Sequence, residues 1–194
     1  APLSAGMCSN LVAYWYRSGN FHEGREWSER SVKACEGLGG LPEAASLEAA
    51  AIMAVWEGDL DTAAERAARS IELAAAAGSD YLKAVVNMTY GICVINQGRD
   101  LDAYRHFQEA TELFHGLDEE WGQAATLVHL ANAALGLGQT NQARQWLGMA
   151  LTIARRVGDA WLIAFCLNNF GEVARALEEY DLAISYYEQT EAAF

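Results

Sequence analysis

The sequence predicts an all-α protein built from repeated helical hairpins, and three observations support this fold class. Four alanines recur 40 residues apart, at Ala63, Ala103, Ala143 and Ala183. Only two prolines occur among the 194 residues, so little interrupts a helix, and abundant Ala, Leu, Glu, Gln and Arg favour one. Apolar residues also recur at helical spacing between the breaks. Together these features predict a stack of helix pairs.

Each hairpin turn is predicted by a glycine five residues before the repeating alanine. Gly58, Gly98 and Gly138 occupy this place, and Glu178 takes it in the last repeat. Such a glycine supplies the left-handed residue that ends the first helix. The acidic or amide residue that follows, such as Asp59, can cap the free amides that begin the second helix. One turn signal therefore predicts two helix ends.

The turns divide the chain into five predicted hairpins within a single repeat domain. These hairpins cover residues 4–36, 43–77, 80–115, 119–157 and 159–194. Because the chain begins at Ala1 and stops inside a helical pattern, we expect it to be a fragment of a longer protein.

Small residues recur where two helices must approach closely. In the first helices they are Ala51, Gly91, Ala131 and Gly171, which follow the same interval as the repeating alanines. In the second helices, large residues recur at Phe107, Leu147 and Tyr187. A large side chain at a small position would push the two helices of a hairpin apart. The pattern therefore predicts close helix contacts at the small residues and side-chain packing at the large ones.

This arrangement resembles the tetratricopeptide repeat, whose signature places an apolar and a small residue in the first helix and two small residues around an aromatic in the second. The closest fit to that signature reads Leu167, Phe170, Gly171, Ala174, Ala183, Tyr187 and Thr190. The resemblance implies a right-handed superhelical solenoid of about five antiparallel hairpins. It also implies that ligands lie along the concave wall made by the first helices.

The repeats are 40 residues long. The usual repeat of this family is shorter, with a length of about 34 residues. They resemble the repeats of bacterial signal-transduction ATPases and LuxR-type transcriptional regulators through the phrases FHEGREWSERSV, LNNFGEVARALEEYDLA and ALTIARRVGDAW. This narrower resemblance implies a role in signal transduction or transcription regulation in the cytoplasm.

The family pattern also implies which side chains line the concave wall. The partner-binding residues that we expect are Asn10, Tyr16, Met88, Ile92, Asn96, His129, Asn132, Asn168, Asn169, Glu172 and Arg175. The same pattern places Glu48 and Ile52 inward. Asparagines and a Met/Ile patch suit an extended or helical peptide. Two alternatives stay open: the asparagines satisfy nearby backbone, and the aliphatic side chains pack on neighbouring helices.

The composition argues against several classes of partner. A formal net charge of −13 repels nucleic-acid backbones and anionic membranes, and no charge-free apolar run of about 20 residues occurs. The four cysteines Cys8, Cys35, Cys93 and Cys166 lack paired spacing, so we expect free buried thiols in a cytoplasmic protein. We expect neither nucleic acid nor a membrane as a direct partner.

No residue pattern predicts a reaction. The histidines His22, His106, His115 and His129 have no second His or Cys at ligand spacing. The glycine-rich segment before Pro42 lacks the lysine and hydroxyl of a nucleotide loop. The six tryptophans fall on helical stripes and are predicted to pack rather than to stack a cofactor. The sequence therefore predicts a non-enzymatic chain with no metal and no cofactor.

The leading functional hypothesis is a module that binds a protein or peptide segment, as the sensor or scaffold arm of a larger regulator. A domain that binds a small-molecule effector in the same groove is one alternative. A homodimer formed through the terminal hairpins is another, because neither end is polar. Leu11 and Trp15 lie at one end, and Ile184 and Phe194 lie at the other.

Overall fold

The computed structural model describes residues 2–192, apart from the side chains of residues 2–4, 9 and 17. Over these residues the chain forms ten α-helices and no β-strand. The predicted all-α fold class with repeated helical hairpins is therefore confirmed. Phe194, which we named as an apolar terminal residue, lies outside the described residues.

The chain divides into two compact units, Ala1–Arg99 and Asp100–Phe194. The first unit contains α1 (Pro2–Ser18), α2 (Phe21–Cys35), α3 (Gly40–Trp56), α4 (Leu60–Ala76) and α5 (Asp80–Asn96). The second contains α6 (Asp100–Gly116), α7 (Glu120–Gly136), α8 (Thr140–Val157), α9 (Ala160–Ala176) and α10 (Tyr180–Glu191). The helix pairs follow the predicted hairpin order, whereas the single continuous repeat domain stays a prediction.

The hairpin turns use the left-handed backbone that their glycines predicted. The φ angles of Gly58, Gly98 and Gly138 are 81°, 75° and 74°. Glu178 holds the corresponding place before α10 with a φ of 61°, although it carries a side chain. A left-handed conformation costs an L-residue roughly 1–2 kcal/mol, so the last turn is built with strain that the other three avoid.

α3 is the central helix of the first unit and is rich in alanine. It packs against α1, α2, α4 and α5. Ala51, one of the predicted small positions, is fully buried in a cluster that joins α3 and α4 to Val86 and Cys93 of α5. Alanine stabilises this arrangement because it lets neighbouring helix backbones approach closely without a void.

An ion network ties α2 to α4 in the same unit. Asp59 caps α4 by accepting a hydrogen bond from the Thr62 amide at 3.4 Å. It also pairs with Arg25 of α2 at 3.2 Å. Glu29 of α2 accepts from both Arg25, at 2.9 Å, and Arg66 of α4, at 2.6 Å. Shared partners of this kind hold the long side chains in one geometry, which isolated surface pairs do not achieve.

The second unit shows why small residues recur in the first helices. A Cβ atom on Gly171 of α9 would overlap the ring of Tyr187 in α10. Ala131 of α7 is 1% exposed, and the large residues Phe107 and Leu147 are fully buried. The predicted small positions of α7 and α9 and the predicted large positions of α6 and α8 are thus confirmed.

All four cysteines are free and buried, as the sequence predicted. Among the described residues, no helix combines the length and the apolar character that crossing a bilayer requires.

Candidate functional site

A row of aromatic rings joins α7 to α9 in the second unit. The ring centroids of Trp121 and Trp161 lie 6.1 Å apart with an interplanar angle of 21°. Trp161 stacks on Phe165 at 5.1 Å, and Phe165 meets the edge of His129 at 5.3 Å. His129 in turn stacks at 5.2 Å on Phe107, which is fully buried. The first four residues are only half-buried.

Helical spacing continues this row into polar side chains. On α9, steps of three and four residues carry the face from Trp161 and Phe165 to Asn168, Glu172 and Arg175, because such steps keep side chains on one side of a helix. On α7, Trp121 and Asn132 occupy the same repeat positions as Trp161 and Glu172, and His129 joins the face through the contact of its ring with that of Phe165. These eight residues are called the α7/α9 face below. Five of them are sequence-predicted site residues.

Glu172 is held firmly within the α7/α9 face. Its carboxylate accepts a hydrogen bond from the Tyr187 hydroxyl at 2.7 Å and another from Arg175 at 2.7 Å. The bond from Tyr187, followed by that from Arg175, lowers the pKa of Glu172. The negative charge at this end of the face is therefore stable, and Arg175 largely balances it.

His129 is neutral at physiological pH. Burial lowers the pKa of its imidazole to about 4, because the two neighbouring aromatic rings leave a charged ring poorly solvated. Within the described part of the chain, His129 takes part in no hydrogen bond or ion pair. It offers the face a neutral polar group rather than a cation.

The two neighbouring asparagines of α9 have different surroundings. Asn168 is exposed on the α7/α9 face. Asn169 is only 5% exposed, and its amide donates to the Phe165 carbonyl at 2.7 Å. For Asn169 the structure thus shows an amide that satisfies nearby backbone, which is the alternative that the sequence left open.

The other predicted site residues lie in the first unit, on α1 and α5. Asn10 is exposed on α1, and the ring of Tyr16 lies 4.9 Å from that of Trp56. On α5, Met88 and Ile92 are half-buried. The exposed Asn96 donates to the Ile92 carbonyl at 2.7 Å.

Glu48 and Ile52 of α3, which we expected to face inward, are buried. Ile52 is 6% exposed and packs with Cys8 and Trp15, because α1 crosses this side of α3. Glu48 is 5% exposed and accepts a hydrogen bond from the Thr89 hydroxyl at 2.9 Å. Burial raises the pKa of Glu48 to about 7. These positions belong to the core of the first unit rather than to an open groove.

A cleft of about 490 Å³ lies between α2, α3 and α4. Its walls are formed by Glu29, Arg30, Val32, Lys33, Glu36, Glu43, Leu47 and Arg69. Several of these charges are engaged locally: Glu43 accepts from the Gly39 amide at 2.7 Å, and Arg69 pairs with Glu72 at 2.7 Å. The sequence analysis did not predict this cleft.

Sequence reasoning did not name Trp121, Trp161 and Phe165 as candidate site residues, since the tryptophans were predicted to pack, and their ring contacts show that they do. A signal was present, because Trp121 and Trp161 occupy the same position in successive repeats. Within the described residues, no group of three or more His, Cys, Asp or Glu is placed to hold a metal ion.

Comparison with known proteins supports the repeat assignment. Residues 122–194 match the tetratricopeptide repeat family. No curated protein matches the chain in sequence.

Solved structures share the fold along nearly the whole chain. BtubC from P. vanneervenii aligns with a TM-score of 0.73 at 17% identity, covering 96% of this chain and 78% of BtubC. A kinesin-light-chain-type protein from Podosopora anserina with TPR-like repeats aligns with a TM-score of 0.72 at 15% identity, covering 100% and 96%. A Rap protein solved with competence and sporulation factor gives a TM-score of 0.83 at 14% identity, covering 98% of this chain and 54% of the Rap chain. At these identities the likeness shows the fold alone. The family model thus matches the C-terminal part of the chain, and solved structures with TPR-like repeats share its fold along nearly its whole length.

Proposed function

We propose that this chain is a non-catalytic interaction module that binds a peptide segment of a partner on the α7/α9 face. The observation that carries the proposal is the continuous face itself, where half-buried aromatic rings run into the exposed amide of Asn168. Aromatic rings supply contact area at low entropic cost, and amides bond to peptide backbone. A Rap protein of the same fold was solved with competence and sporulation factor, which supports a ligand-holding role for such a fold.

We place this module in a larger cytoplasmic regulator, with a role in signal transduction or transcription regulation. Support comes from the length of the repeats, which resembles that of bacterial signal-transduction ATPases and LuxR-type regulators. The acidic charge of −13 also favours binding of a protein segment over direct binding of nucleic acid.

Peptide selection followed by substitution on the face tests the proposal. Random 12-residue peptides displayed on phage are selected against the whole chain, and the best peptide is synthesised and titrated by calorimetry. The double variant Asn132→Ala/Asn168→Ala should bind it about tenfold more weakly, since each lost hydrogen bond costs about 1 kcal/mol or less at a partly exposed site.

The matched control is Gln108→Ala/Gln145→Ala, which removes two exposed amides from the second helices α6 and α8. The control should bind like the unchanged chain. Equal affinity of the unchanged chain and the α7/α9 double variant would contradict the proposed site, and failure to select any peptide would contradict peptide binding.

A second candidate function is self-association through α10, favoured by its exposed apolar side chains. Tyr180 is 60% exposed and Ile184 is 54% exposed, and Leu177 and Leu182 are exposed beside them. Light scattering over a concentration series should then show a dimer that Ile184→Glu reduces to a monomer. A monomer at every concentration would exclude this candidate.

A further inference from the structure

We propose that α10 of one chain packs against α1 of a second copy, and that this contact repeats the one that joins successive hairpins within each unit. The inference rests on the self-association suggested above for α10, and it names the surface to which α10 binds. It does not depend on peptide binding by the α7/α9 face.

Within each unit, the second helix of one hairpin packs against the first helix of the next. This contact joins α2 to α3 and α4 to α5 in the first unit, and α6 to α7 and α8 to α9 in the second. In its own unit, the first helix α1 packs against α2 and α3, and the second helix α10 packs against α9. Among the described helices, each of these two therefore lacks one neighbour of the kind that the other repeats have.

α1 exposes an apolar stripe to solvent. Met7, Leu11 and Tyr14 are separated by four and three residues, so they lie on one side of the helix. Their exposed fractions are 62%, 37% and 54%. Three large apolar side chains in a row form a surface that another helix can cover.

The same stripe is covered in every later first helix. Alignment of the turn glycines Gly19 and Gly58 places Met7 and Tyr14 at two repeat positions of the first helices. In α3, α5, α7 and α9 the residues at these two positions are at most 1% exposed: Ser46, Met53, Val86, Cys93, Thr126, Ala133, Cys166 and Val173. In α5 these residues lie in one buried cluster with alanines of α4, the preceding second helix. The repeat therefore indicates that a second helix fits this stripe.

α10 exposes the corresponding face of a second helix. Ile184 is 54% exposed, whereas Ala64, its counterpart in α4, packs against the buried cluster that α4 shares with α5. Tyr187 is half-buried, whereas its counterparts Phe107 and Leu147 are fully buried. This side of α10 therefore fits a first helix.

Charge favours α1 over a second α10 as the partner. Glu188 and Glu191 follow Ile184 by four and seven residues, so these exposed carboxylates lie on the same side of α10. Two α10 helices face to face would bring these like charges together, which is unfavourable. The helix α1, residues 2–18, contains no Asp or Glu. The apolar contact with α1 is therefore free of this repulsion.

The test introduces a carboxylate into each face separately. Met7→Glu changes the α1 stripe, and Ile184→Glu changes the α10 face. In light scattering over a concentration series, the unchanged chain should form a dimer first and larger species at higher concentration, because a contact between unlike faces leaves one free face at each end. Each variant alone should stay a monomer over the same range.

An equimolar mixture of the two variants provides the sharper measurement. Met7→Glu keeps its α10 face and Ile184→Glu keeps its α1 stripe, so the mixture should form a dimer and nothing larger. Such a regain of association also shows that both variants are folded. Met149→Glu is the matched control, because Met149 is 48% exposed on α8 and belongs to neither face. This control should associate like the unchanged chain.

The outcomes separate this inference from the self-association candidate. A monomeric Ile184→Glu beside a Met7→Glu that still associates would mean that α10 binds a second α10, which overturns the α1 partner and leaves the candidate standing. A mixture that stays monomeric would also overturn the contact between α1 and α10. Association that persists in Ile184→Glu, or an unchanged chain that is monomeric at every concentration, would overturn both.

Discussion

At the scale of single residues, Glu48 is the most unusual group in the first unit. It is a buried carboxyl group whose hydrogen-bond partner is a hydroxyl, that of Thr89, rather than a cation. Desolvation raises its pKa from 4.5 to about 7, and Cys93 faces it from α5 as a neutral thiol. The folded chain therefore keeps the Glu48 carboxyl group protonated up to about pH 7. The unfolded chain releases the same proton near pH 4.5.

The consequence is a loss of stability with rising pH. The stabilising contribution is fully present below pH 4.5 and disappears as pH rises through about 7. The glutamine of Glu48→Gln cannot ionise, so this variant serves as the reference. Between pH 5 and pH 8, the free energy of unfolding of the unchanged chain should fall by about 2 kcal/mol relative to that of the variant. Urea unfolding at both pH values measures it.

The exposed carboxylate Glu65 of α4 provides the control for this prediction. Glu65→Gln should leave the pH dependence of unfolding as it is in the unchanged chain. A difference between the unchanged chain and Glu48→Gln that is the same at pH 5 and pH 8 would contradict the burial argument.

At the scale of helices and turns, we expect a glycine-to-alanine substitution to lower the free energy of unfolding at one position and to raise it at another. Gly138 ends α7 with a φ of 74°, whereas Gly148 lies inside α8, and a Cβ atom meets nothing within 4 Å at either. Gly138→Ala should lower the free energy of unfolding by roughly 1 kcal/mol through backbone strain. Gly148→Ala should raise it by up to about 1 kcal/mol through helix propensity. Urea unfolding of both variants measures the two signs.

Glu178→Gly tests the same turn from the other side. Because Glu178 holds a left-handed backbone that a glycine adopts freely, this substitution should raise the midpoint of urea unfolding. The nearby exposed Glu188→Gly, inside α10, is the control and should lower that midpoint. A lower midpoint for Glu178→Gly would show that its side chain contributes more than its backbone costs.

These elements show which features the sequence could predict. Helices, turns and small positions follow from local rules of capping, propensity and side-chain size. The sequence repeat shows the same local pattern several times, which makes these features easy to predict. The face was predicted only in part. Asn168 and Asn169 are adjacent in sequence, yet one is exposed and the other is buried, because the rotation of α9 against its neighbours decides this. Ile52 is buried against Cys8 and Trp15 of α1, and Glu48 is buried beside Thr89 of α5, so the packing of neighbouring helices decides both positions.

At the scale of the whole molecule, the net charge of −13 opposes compaction through self-repulsion. Among the described residues, the ion pairs of Arg69, Arg105, Arg144, Arg156 and Arg175 are exposed and therefore contribute little. Added salt should weaken this self-repulsion more than it weakens the ion pairs. Raising NaCl from about 20 to 300 mM should therefore raise the midpoint of urea unfolding. The variant Glu188→Lys/Glu191→Lys, which changes the charge by four at exposed positions, should respond less to salt. A midpoint that falls with salt would contradict this balance.

The buried thiols give each compact unit its own reporter of opening. Cys93 lies in the first unit and Cys166 in the second, and burial raises the pKa of both thiols to about 12. A neutral, enclosed thiol does not react with iodoacetamide, so alkylation requires local or global unfolding. Mass spectrometry of the two modified peptides over time should therefore give two separate rates. Equal rates would mean that the two halves open in one cooperative event, and unequal rates would rank their kinetic protection without any added probe.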